Sequence, residues 1–112
     1  MVKVECILRP NKIAEVKNAM QDMGIHGMTV TEVIGCGLQM GHIEDNWNTE
    51  LNVNLLPKIK IEMVVADSMV DNVIKAIIKV AKTGEIGDGK IFTSPITNAI
   101  RIRTEETGEG AV

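Results

Sequence analysis

Two stretches of the chain alternate apolar and polar residues one by one, and each runs into a stripe of aliphatics at helical spacing. In the first, Val2, Val4, Cys6 and Leu8 face one way, and Lys3, Glu5, Ile7 and Arg9 the other. Pro10-Asn11 breaks the run and Asn11 offers a helix cap. Ile13, Val16, Met20 and Met23 then recur at helical spacing, up to a stop at Gly24. The second unit repeats this grammar. Ile59, Ile61, Met63 and Val65 oppose Lys58, Lys60, Glu62 and Val64, and Val70, Val73, Ile74, Ile77, Ile78 and Ala81 follow as a helical stripe. Alternation is the mark of a half-buried strand, and the wider spacing that of an amphipathic helix.

Between the units, a strand from about Met28 to Ile34 ends in Gly35-Cys36-Gly37, and its alternation slips at Glu32 as at a bulge. After the second helix come a glycine-punctuated loop, a short strand at Lys90-Ile91-Phe92, and another from Ile100 to Arg103. The order is β-α-β-β-α-β plus a short C-terminal strand. That is an α+β, ferredoxin-like arrangement, with both helices on one face of an antiparallel sheet. The other face carries Glu5, Ile7, Glu62 and Val64, too apolar a set for water, which predicts burial against copies of the chain.

The 112 residues allow a single domain. Hydrophobic residues make up 45% but aromatics only 2%, namely Trp47 and Phe92 with no tyrosine, so the core must be aliphatic. A net charge of −3 and scarce rings argue against nucleic acid as a partner. No run approaches the ~18–20 apolar residues of a membrane span, and the opening residues lack signal-peptide grammar, so a cytoplasmic protein is expected. Cys6 and Cys36 are too isolated for a zinc pair or a disulfide framework and read as two buried, inert thiols.

Thr83-Gly84-Glu85-Ile86-Gly87-Asp88-Gly89-Lys90 carries the sharpest chemical signal. Three glycines and a terminal lysine can bring backbone N–H groups and a cation to a phosphate. It is not a Walker A loop, because Ile91 stands where Ser or Thr is required. An ordinary helix-to-strand turn is the alternative. Arg101 and Arg103 alternate with Ile100 and Ile102, presenting two planar donor forks suited to phosphate, or else two edge charges that discourage aggregation.

Taken together, these motifs resemble the PII nitrogen-regulatory signalling family. The resemblance runs through Arg9-Pro10, the Gly35-x-Gly37-x-Gln39-x-Gly41-His42 run, and Leu56-Pro57-Lys58-x-Lys60-Ile61-Glu62. It continues in the stretch from Thr83 to Phe92 and in Ile100-Arg101-Ile102-Arg103-Thr104. It implies a homotrimer with ATP or ADP bound in clefts between subunits. The nucleotide contacts would be Thr29, Gly35, Cys36, Gly37, Gln39, Glu62, Val64, Gly87, Asp88, Gly89, Lys90, Arg101 and Arg103. It also implies 2-oxoglutarate beside Mg-ATP, with Gln39 helping to hold Mg²⁺, Lys58 pairing with the acid and Gly41 nearby.

Residues 38–56 carry no sustained period, and the stretch 37–55 would be the family's T-loop, the arm that docks on target proteins. Trp47, Thr49, Glu50 and Leu51 are its expected docking residues. Here the chain departs from the common pattern. Leu38 replaces an arginine that assists the terminal phosphate, Met40 a lysine, Trp47 the loop-tip arginine, and Leu51 the modifiable tyrosine. Without any tyrosine, nucleotidylylation of that residue type is impossible. Glu44, Asp45 and Glu50 do not match a Ca²⁺ loop.

The resemblance implies a non-enzymatic sensor whose ligands bias the T-loop, and with it the regulation of a target protein. The alternatives are a nucleotide sensor unresponsive to 2-oxoglutarate, or a weak ATP-hydrolysing or phosphotransfer enzyme on the same fold. His42 and His26 are candidates for the latter in principle, but His42 has no recognisable orienting acid.

Overall fold

In the computed structural model, which describes residues 1–37 and 55–112, the expected core elements form. They are β1 (Val2–Leu8), α1 (Ile13–Asp22), β2 (Thr29–Cys36), β3 (Leu55–Val65), α2 (Val70–Ala81) and β4 (Lys90–Pro95). The strands make one antiparallel sheet in the order β2-β3-β1-β4. β1 and β2 therefore run the same way with β3 between them, the split βαβ of a ferredoxin-like α+β fold.

The register follows the alternation. Val4 lies opposite Met63 and Cys6 opposite Ile61, so the apolar residues of both central strands share one face. Val16 and Met20 of α1, and Val73 and Ile77 of α2, close over that face and are essentially inaccessible. Each such side chain stabilises the fold by about 1.5–3 kcal/mol relative to exposure. Among the described residues the buried core contains only Val, Leu, Ile, Met, Ala and Cys, with no aromatic ring.

Helix α1 ends at a glycine-dependent cap. Gly24 has φ +80, its N–H reaches the Gln21 carbonyl at 2.9 Å, and the Ile25 N–H reaches the Met20 carbonyl at 2.9 Å. This paired Schellman geometry satisfies two carbonyls that the helix leaves unpartnered. Three expectations need correction. Asn11 does not cap α1, because Pro10–Lys12 forms a 3-10 turn and the helix starts at Ile13 without a side-chain cap.

Secondly, Glu32 marks no bulge, since β2 pairs with β3 in unbroken register from Thr29↔Glu62 to Cys36↔Leu55. The alternation slips because β2 is an edge strand whose Val30 and Ile34 remain exposed, so core burial does not dictate its residues. Thirdly, the strand expected from Ile100 to Arg103 is reduced to one bridge, Ile100↔Thr107. The Arg101 carbonyl accepts the Glu105 N–H, folding those residues into a turn instead.

One of the two cysteines also differs from expectation. Cys6 is buried, and burial pushes its thiol up to about 11, with Glu5 adding to the shift. Cys36 is exposed at the end of the edge strand. Iodoacetamide at pH 8 should modify one thiol per native chain, Cys36, and two after unfolding. Equal labelling of both in the native protein would contradict this burial. Because Cys6 keeps its proton to higher pH in the folded state than in the unfolded chain, its stabilisation is intact below about pH 9. It is lost as pH rises toward 11.

Candidate functional site

The loop between α2 and β4 is organised around one carboxylate. Asp88 Oδ2 accepts the Thr83 N–H at 2.8 Å and the Gly84 N–H at 2.9 Å, while Oδ1 accepts the Thr83 hydroxyl. Thr83 Oγ1 in turn accepts the Glu85 N–H at 3.1 Å. From the end of β1, Arg9 donates Nε to Asp88 Oδ1 at 3.4 Å and Nη2 to the Ile86 carbonyl at 2.9 Å. The Thr83 hydroxyl, first among these donors, holds the Asp88 carboxyl well below the usual carboxylate range.

That direction has a consequence in acid. The Asp88 contribution is complete above the ordinary carboxylate pKa of ~4 and disappears only as pH falls well below it. The Gly84 amide resonance should therefore hold its native position down to pH 4. A titration of that resonance centred near pH 4 would show that the donors do not act on Asp88.

Two further contacts fix the loop. Lys58 Nζ on β3 donates to the Gly87 carbonyl at 2.8 Å. Its pKa is lowered by burial first and by Arg9 second, with Asp88 opposing. Gly89, at φ +100, passes so close to β1 that a Cβ there would overlap the Ile7 carbonyl oxygen. Only glycine allows that approach.

A cleft of about 560 Å³ opens beside this loop. Gly35, Cys36 and Gly37 line one side, and Gly87, Asp88, Gly89 and Lys90 the other, with Lys58 between them. Eight of the residues expected from the sequence thus meet at one place. Ile7, Leu56, Ile86 and Phe92 supply apolar walls. Flexible glycine backbone with two lysines is the chemistry of an anion cradle. Asp88 spends its oxygens inside the loop, so its role in the described geometry is to shape the cradle.

The remaining expected residues lie elsewhere. Thr29 and Glu62 face each other across β2 and β3. Val64 and Arg101 line a second cleft of about 720 Å³, with His26 and Glu109. Lys58 and Val64 are six residues apart on one strand, roughly 20 Å at ~3.3 Å per residue. Arg101 is tied by its Nη1 to Glu106 Oε1 at 3.1 Å, and Arg103 is exposed on the turn. Gln39, Gly41, Trp47, Thr49, Glu50 and Leu51 fall outside the described residues, as do Leu38 and His42.

Comparison with known proteins decides the family. The family model "Nitrogen regulatory protein P-II" matches residues 1–106. The chain belongs to the P-II family. It is 57% identical to the "Nitrogen regulatory protein P-II" of Rhodobacter capsulatus over the full length of both chains. It is 52% identical to the "Nitrogen regulatory protein P-II 2" of Methanothermobacter thermautotrophicus, over all of this chain and 97% of that one. The P-II protein of Haemophilus influenzae is 50% identical over both full lengths. Regulation of nitrogen metabolism is thus the setting of the P-II fold described above. Among the described residues, no helix is long and apolar enough to cross a membrane.

Within this P-II cleft, sequence reasoning assigned no role to Arg9 or Thr83. The available signal was chemical: an arginine at a strand end, and a hydroxyl five residues before an aspartate in a glycine-rich loop.

Proposed function

We propose that this protein is a non-enzymatic, cytoplasmic sensor that binds ATP or ADP, and 2-oxoglutarate together with Mg-ATP. Binding biases the T-loop, residues 37–55, toward or away from a target protein. The observation that carries this reading is the cleft joining Gly35, Cys36 and Gly37 to Gly87, Gly89 and Lys90 beside Lys58. Backbone donors and ammonium groups there suit phosphate and carboxylate oxygens. Gln39, outside the described residues, would complete a Mg²⁺ site together with the phosphates themselves.

A homotrimer is part of the proposal. Val64, which lines its cleft together with Arg101, lies roughly 20 Å along β3 from Lys58, so one subunit does not gather all the expected contacts. A second copy laid against the open face would supply them. Phe92, 51% exposed on that face opposite Glu5, favours such a covering. Light scattering should return three times the 12.2 kDa chain mass, and a monomer would end the trimer reading.

Ligand switching requires that each ligand prefer one loop state. Titration calorimetry should detect ATP and ADP, and 2-oxoglutarate should bind only when Mg-ATP is present. No nucleotide binding at millimolar concentration would overturn the function. ATP binding indifferent to 2-oxoglutarate would reduce it to a nucleotide sensor. Lys90→Ala should weaken ATP by about tenfold or more, the loss of one charge-assisted contact. Sustained phosphate release by the purified protein would contradict a non-enzymatic role.

A further inference from the structure

The cradle places a carboxylate beside a site proposed for anions, an arrangement that repels a phosphate unless the charge is engaged elsewhere. The structure engages it. Asp88 receives two N–H groups and a hydroxyl from Thr83 and Gly84, and a guanidinium N–H from Arg9. Arg9 also donates Nη2 to the Ile86 carbonyl at 2.9 Å, so that acceptor is engaged as well. Arg9 comes from a residue 79 positions away, so the loop is braced from outside rather than by its own turn alone.

We propose that Thr83 and Arg9 are positioning residues of this cradle: they neutralise and orient Asp88 so that the Gly87 to Lys90 backbone faces an anion. This rests on the nucleotide-binding reading above. Neither residue needs to touch the ligand. Thr83 acts from behind the loop, through Asp88 and the Glu85 N–H. Arg9 acts from the strand end, through Asp88 and Ile86.

The experiment compares the full-length wild type with Thr83→Val, Thr83→Ser and Arg9→Met, measuring ATP affinity by calorimetry and amide exchange by NMR. Thr83→Val keeps the side-chain shape but removes the hydroxyl. It should weaken ATP on the order of tenfold and speed exchange at Glu85, while Thr83→Ser restores both. Arg9→Met, which retains the apolar stem, should weaken ATP similarly without changing the thermal midpoint by more than the valine variant does. Wild-type affinity in Thr83→Val and Arg9→Met would overturn the proposal. So would equal losses in the serine and valine variants. A wild type that binds no ATP would instead refute the nucleotide reading; unchanged Glu85 exchange in Thr83→Val would separately refute the network.

Discussion

Gly89→Ala should disable the cradle and destabilise the chain by about 3 kcal/mol or more, because two independent penalties meet at that position. The backbone holds φ +100, where an L side chain is strained by roughly 1–3 kcal/mol. The added methyl would also overlap the Ile7 carbonyl oxygen, so β1 and β4 must separate next to the Ile7↔Lys90 pair. Gly84→Ala is the matched control. Gly84 has φ +88 but open space around its missing Cβ, so only the strain applies, and its loss should be about 1–2 kcal/mol. Urea midpoints at a fixed protein concentration would measure both. Equal midpoints for the two variants would mean that the close approach to β1 does not matter. ATP binding by Gly89→Ala as tight as wild type would sever the link between that approach and the site.

Ile61→Ala should cost about 2–5 kcal/mol, the range for removing a fully buried branched side chain. Ile61 is 0% exposed at the centre of the sheet, opposite Cys6 on β1 and Val30 on β2. Against a typical domain stability of about 5–15 kcal/mol, that loss is large enough to be visible in any unfolding curve. Ile34→Ala supplies the contrast, because Ile34 is 70% exposed on the same strand pair and should change stability little. A small loss at Ile61 would mean that the two helices do not close over the sheet as described.

Both predictions separate what a sequence declares from what it leaves implicit. β1, β3 and α2 were legible because burial on one face forces a period, and the period survives in the residue order. β2 was less legible because edge position relaxes that force, leaving Val30 and Ile34 exposed and Glu32 out of step. The Ile100 to Arg103 alternation misled for the same reason. With no buried face to satisfy, the pattern did not imply a strand, and Glu105 at φ 60 closes a turn instead. At the site, the glycines and lysines that line the cleft were legible locally. Arg9 was not, since its contact with Asp88 spans the chain and depends on tertiary geometry.

The scarcity of aromatic rings has an optical consequence. Among the described residues the buried core holds no aromatic side chain, and Phe92 lies half-exposed on the open face. With no tyrosine, Trp47 is the chain's single indole and it has no phenol beside it. Its emission therefore reports on the surroundings of residue 47 alone. A ligand or partner that alters the indole's surroundings becomes readable without any attached label, and backbone circular dichroism is left to report the unfolding of the core.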